Sequence, residues 1–210
     1  MRKITIIEHI SLDGVIQAPG GPNEDPPYPY GGWAGPHADT DGGAAIVAAH
    51  GEAFDLLLGR RTYDIWTGFW PKAPKSPMAD SINAATKYVA THRPKSLAWG
   101  PAADLGADIV EGIRRIKAKS GPHLIVWGSS TLTPVLLEHG LADELLLLVF
   151  PVLLGTGKRI FSEGPRPANS RSSAPRLCPR ASSSAHTGPV GFCGPVPTLT
   201  RRSERAVWPG

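Results

Sequence analysis

A chain of 210 residues has room for one large domain, or one domain and a tail, and its 41% apolar content is that of an ordinary globular protein. No run approaches the roughly 18 apolar residues of a membrane helix, and Glu8 and Asp13 interrupt the start too early for a signal peptide, so a cytoplasmic location is expected. The net charge of +4 divides unevenly: 15 Lys and Arg face 17 Asp and Glu up to Glu163, whereas seven Arg face the single Glu204 beyond it, which excludes a nucleic-acid-binding stripe from the body.

In chain order, Lys3 to Ile10 alternates and is β-branched, as a strand requires. Ala18 to Gly43 is rich in Gly, Pro and aromatics, and a loop that long is usually functional or mobile. Ala44 to Phe54 reads as a helix and Asp55 to Leu58 as a buried strand. Gly59-Arg60-Arg61-Thr62 then turns into a second helix running past Trp66. Met78 to Ala85 is a short helix, and Lys87 to Ala90 a strand ending at Thr91-His92-Arg93-Pro94. Ile109 to Ala118 is a helix with Ile109, Ile113 and Ile116 on one side. Leu124 to Trp127 is a strand, Thr131 to Glu138 a helix, and Glu144 to Val149 a strand. Strands alternating with helices predict a mostly parallel sheet covered on both faces. In such sheets ligands bind beyond the carboxyl ends of the strands, where Gly59, Thr91 and Gly128 all fall.

Gly128-Ser129-Ser130-Thr131 suits a diphosphate held by backbone N–H groups, although an ordinary helix cap reads the same way. Arg60 and Arg61 at a helix start oppose its dipole; a bound anion would remove that conflict, and a solvated basic turn is the equal alternative. Thr91-His92-Arg93 could take a further phosphate, such as the one that separates NADP from NAD, or be a plain exposed turn before Pro94. Asp13 could be a substrate carboxylate, though Asp-Gly is also a common turn. Trp33, Trp66, Phe69 and Trp70 could line a pocket for a planar ring, or simply fill the core. The seven histidines show no ligand spacing and both cysteines lie in the tail, so no metal is expected.

Three segments together, ISLDGVIQ, LLLGRRTYDIW and GSSTLTPVLLEHGLADELLLLVFPVLLGTGKRIF, resemble the dihydrofolate-reductase-like superfamily. Within it they look most like the C-terminal reductase domain of the bacterial bifunctional riboflavin deaminase-reductase and its stand-alone relatives. The resemblance runs from Arg2 to Phe161. It implies a three-layer α/β/α fold and NADPH as hydride donor to a pterin- or pyrimidine-like heterocycle. It also implies that Gly59, Arg60, Arg61, Thr62, Thr91, Gly128, Ser129, Ser130, Thr131 and Leu132 hold the cofactor. Asp13 and Gly14, with Trp66, then border the substrate, and Asp13 is the candidate proton-donating or orienting carboxylate. No deaminase zinc motif is present, and the region that offers Asp39, Asp41 and Glu52 has no clear match to the pterin-binding acid of true dihydrofolate reductases. The alternative is a non-catalytic NADPH-binding protein of the same fold. A homodimer is left open; a nucleic-acid or membrane partner is not expected.

Residues 1–163 are expected to form the reductase domain. From residue 164 the composition turns to Pro, Ser and Arg without periodicity, which reads as a disordered tail. The resemblance implies a terminal β-hairpin there, which this sequence lacks. Two explanations stand: a natural disordered extension, or, the one favoured here, a reading-frame shift near Pro165–Asn169, since permissible codons read one base earlier can encode a strand, a Pro-Ser-Gly turn and a strand.

Overall fold

A computed structural model describes residues 1–37, 40–161 and 176–178. The strands are β1 (Ile4–Ser11), β2 (Phe54–Gly59), β3 (Lys87–Ala90), β4 (Ala102–Asp104), β5 (His123–Trp127), β6 (Glu144–Phe150) and β7 (Arg176–Cys178). The helices are α1 (Thr40–His50), α2 (Arg60–Phe69), α3 (Pro77–Ala84), α4 (Ile109–Ala118) and α5 (Thr133–Glu138). The strands form one sheet in the order β4-β3-β2-β5-β1-β6-β7, and every pairing is parallel.

The central strands are apolar on both sides because both sheet faces are covered. Successive side chains of a strand point to opposite faces, and the two cores divide accordingly. Leu56 and Leu58 join Ile7, Ile125 and Val89 on the face covered by α1, α2 and α3. Leu57 joins Ile4, Ile6, Leu124 and Val126 on the other face, under Ile113 and Ile116 of α4 and Leu136 of α5. The chain steps outward from β1 to β4 with its helices on the first face. It steps back through β5 to β6 with its helices on the second. A constant crossover hand requires that exchange of faces when the direction of travel reverses.

The predicted elements reappear with shifted ends. The first helix occupies Thr40–His50 rather than Ala44–Phe54. Gly51 adopts φ +62, which ends it, and Phe54 is drawn into the core, stacking on His50 at 4.4 Å between ring centroids. The last helix begins at Thr133, two residues late, because Gly128 and Ser129 both take left-handed backbone angles. Strand β4 has no apolar run to announce it, and it forms by pairing with β3. The expected disordered tail, and the absence of a hairpin from it, lie outside the described residues. The exception is Arg176–Cys178, which pairs in parallel with Leu146–Leu148 of β6.

Candidate active site

Where β1, β2 and β5 end side by side, the surface sinks into a cavity of about 610 Å³. Such a place, at the carboxyl ends of parallel strands, is where open α/β sheets bind ligands. Glu8 and His9 of β1 and Trp127 of β5 reach it from the sheet, and Gly59, Arg61, Thr62 and Trp66 from the β2–α2 turn. Gly128 to Thr131 border it from the β5–α5 turn. The remaining wall is the loop after β1, from Ile16 to Asp25, together with Lys158.

The two turns that the sequence singles out separately are bonded to each other. Ser129 Oγ accepts the Gly59 N–H at 2.8 Å and donates to the Trp127 carbonyl at 2.9 Å. The Ser129 N–H donates to Thr62 Oγ1 at 3.1 Å. Ser129 pays for this position with φ +57, a conformation that L-residues rarely adopt. Ser130 and Thr131 follow with backbone N–H groups that meet no protein acceptor among the described residues. Two free N–H groups on consecutive residues, after left-handed backbone, form a concavity suited to an anion. A diphosphate therefore fits the residues present. Leu132 does not reach the cavity; its side chain is buried in the core beneath α5.

The arginines answer the helix-dipole conflict with protein carboxylates. Arg61 forks onto Asp25, at 2.8 and 3.1 Å, and so ties the loop after β1 to α2. Gln17 Nε2 donates to the same carboxylate at 2.7 Å. Arg60 turns away from the cavity. It pairs with Asp64 at 2.8 Å and bonds Thr91 Oγ1, the Arg93 carbonyl and Ser96 Oγ on the neighbouring loop. Arg60 thus ties the buried Thr91 to the loop after β3, and neither residue lines the cavity.

Asp13 and Gly14 are not brought to the cavity. The Asp13 carboxylate accepts from Ser11 Oγ at 2.7 Å, from the Leu154 N–H at 3.1 Å and from the Gly155 N–H at 2.8 Å. The Ser11 hydroxyl first, and then these backbone N–H groups, hold its carboxyl well below the usual carboxylate range. Arg159 completes the cage at 3.4 Å. The bonds from Leu154 and Gly155 make this carboxylate a clamp on the loop after β6. Gly14 has φ +85 and closes the turn to Ser11.

Residues not singled out as site residues in the sequence do reach the cavity. Glu8 is buried, and desolvation pushes its carboxyl well above the ordinary range. His9 lies edge-on to Trp127 and Phe150, and burial lowers its pKa to about 4. Trp127 and Trp66, with ring centroids 6.1 Å apart, form with Trp70, Met78 and Ile82 an apolar wall fit for a flat ring. One signal for Glu8 was available: an acid in the apolar run Ile4–Ile10 is an exception that calls for a reason. Nothing local marks His9 or Asp25.

Among the described residues, no group of three or more His, Cys, Asp or Glu is placed to hold a metal ion. No helix among them is long and apolar enough to cross a membrane.

Comparison with known proteins agrees with this fold. The family model of the RibD C-terminal domain matches residues 2–183. The uncharacterized protein YyaP of Bacillus subtilis strain 168 is 27% identical over 110 residues, which are 50% of this chain and 58% of that protein. The match therefore spans little more than half of that relative's length. A crystal structure from Shewanella sp. PV-4, provisionally named a riboflavin biosynthesis protein, superposes with a TM-score of 0.50 at 21% identity. It covers 77% of this chain and 84% of its own, a likeness of fold.

Proposed function

The chain belongs to the RibD C-terminal domain family, and on that premise we propose that it is an NADPH-dependent reductase of a pterin- or pyrimidine-like heterocycle. Membership itself implies a reductase-type function of the riboflavin-biosynthesis kind. The observation that carries the finer reading is the single cavity shared by the Gly59–Thr62 and Gly128–Thr131 turns, with an aromatic wall beside them.

NADPH, when bound, supplies a hydride. The free N–H groups of Ser130 and Thr131 would hold its diphosphate, in a turn made rigid by the Ser129 bonds to Gly59 and Thr62. Arg60, Thr91 and the adjoining loop would take the adenosine end, outside the cavity. Trp66, Trp70 and Trp127 would stack the acceptor ring and exclude water from it. Of the lining cations, Arg61 is already forked onto Asp25, which leaves Lys158 as the side chain that would meet an anion on the substrate. Asp13 and Gly14 serve as a clamp on the loop after β6 rather than as substrate groups.

The test is a pair of measurements. NADPH should raise the melting temperature more than NADH does; ligand at a hundred times its dissociation constant adds about 2.7 kcal/mol to the folded state. Oxidation of NADPH should then follow on adding one of a panel of oxidised pterins, flavins and pyrimidines. Binding without turnover across the panel would favour the non-catalytic alternative. No melting shift with either nucleotide would dispose of both readings.

A further inference from the structure

Glu8 is the one described residue with a buried side-chain polar atom that has no hydrogen-bond partner, and it lines the cavity. Its Oε1 lies 3.0 Å from Thr133 Oγ1, while its Oε2 meets nothing. The residue is 1% exposed, so bulk solvent does not hydrate it. Leaving a polar atom in that state is destabilising, which a protein avoids unless something else completes the bond.

Resting on the reductase reading above, we propose that Glu8 is a ligand-binding residue of this cavity, its Oε2 accepting a hydrogen bond from an N–H at the edge of a bound heterocycle. Proton accounting gives the polarity. Thr133 Oγ1 also lies 3.0 Å from the Gly128 carbonyl, which can only accept. The hydroxyl has one proton, and in the satisfied arrangement it goes to Gly128. Glu8 must then donate to Thr133 through a protonated Oε1, and Oε2 is left as a carbonyl-type acceptor. Burial, which favours the neutral carboxyl, agrees with that arrangement. The relay also connects the ligand to the Gly128 carbonyl, and so to the turn that borders the diphosphate. The N–H has two sources of the same chemistry: the carboxamide of a nicotinamide, or the lactam N–H of the acceptor ring.

The relay distinguishes substitutions. Glu8→Gln reproduces the neutral acid, with its amide nitrogen donating to Thr133 and its oxygen at the Oε2 position. Glu8→Leu and Glu8→Met remove the acceptor while keeping the volume, and both should melt no lower than wild type because an orphaned atom goes with them. Dissociation constants are measured by calorimetry on the full chain for NADPH, for its 3-acetylpyridine analogue without the amide N–H, for lumazine and for 1,3-dimethyllumazine. The expected result is binding within threefold of wild type for Glu8→Gln and at least tenfold weaker for Glu8→Leu and Glu8→Met, for one N–H-bearing probe only. Loss confined to NADPH assigns the nicotinamide; loss confined to lumazine assigns the acceptor. The probe lacking that N–H should bind all four proteins alike. Folded Glu8→Leu or Glu8→Met that binds both N–H-bearing probes as wild type does would overturn this assignment alone. A wild-type protein that binds neither NADPH nor lumazine would overturn the reductase reading and this assignment with it.

Discussion

Ser129 concentrates several demands in one side chain. It is buried, sits in left-handed backbone, and bonds two different strand ends. Ser129→Ala leaves the Gly59 N–H without its acceptor, so a loss of about 1–3 kcal/mol is expected in urea unfolding. Ser129→Gly loses the same bonds but relieves a left-handed conformation that costs an L-residue about 1–2 kcal/mol. Glycine should therefore be the milder substitution, even though it removes more atoms. If alanine is tolerated as well as glycine, backbone strain is not what Ser129 bears. Both variants should also weaken NADPH, since the turn that presents the Ser130 and Thr131 N–H groups loses its anchor.

At the scale of elements, α4 shows propensity and packing in opposition. Gly112 sits in mid-helix, where alanine would ordinarily add about 1 kcal/mol. A Cβ there would lie 2.2 Å from the Leu105 carbonyl oxygen and 2.9 Å from the Leu105 Cβ. The backbone oxygen cannot turn aside, so the clash wins. Gly112→Ala should destabilise by about 1–3 kcal/mol, the usual cost of overpacking, measured as a lower urea midpoint. An unchanged or higher midpoint would show that α4 can lift from the sheet. The loop after β1 is the opposite case, an element with little regular structure that is held by point contacts. Trp33 Nε1 donates to the Gln17 carbonyl at 2.8 Å, Tyr28 Oη to the Thr156 carbonyl at 2.9 Å, and Arg61 holds Asp25. Arg61→Ala leaves the buried Asp25 with Gln17 alone, and should speed proteolysis between residues 18 and 37 without changing cleavage elsewhere.

Across the whole molecule, buried titratable groups set the response to acid. Burial lowers His9 and His50 to about 4, and the Trp127 Nε1–H donates to His50 Nε2 at 2.9 Å, which holds that ring neutral. In the unfolded chain both rings titrate near 6.5. Between those values the unfolded state binds more protons, so stability falls as pH drops from about 6.5 to about 4 and levels off below. Asp13 adds a further loss at lower pH, because its folded carboxyl is held down by Ser11 and the backbone of Leu154 and Gly155. Glu8 acts in the other direction, its raised carboxyl costing stability as pH rises through the carboxylate range. The urea midpoint should therefore decline from pH 6.5 to 4, and His50→Gln, which can still accept from Trp127, should make that decline shallower. A decline of equal steepness in the variant would remove His50 from the account.

The amino-acid sequence by itself determined the layered parallel architecture. Runs such as Leu56–Leu58 and Leu124–Val126 are apolar at every position, and only a sheet covered on both faces can bury them. It also marked Gly59–Thr62 and Gly128–Thr131 as strand-end turns, because glycine and hydroxyl residues between a strand and a helix have few other uses. Tertiary structure alone decided which side chains meet. Glu8 and Thr133 are 125 residues apart, and Asp25 and Arg61 are 36 apart, so no local pattern joins them. The same holds for Asp13, whose Ser-Leu-Asp-Gly setting looks like a site. Its partners, Leu154, Gly155 and Arg159, arrive from the far end of the domain and make it a clamp. Periodicity reports which face of an element is buried; what a polar group does there depends on a partner that only the folded chain supplies.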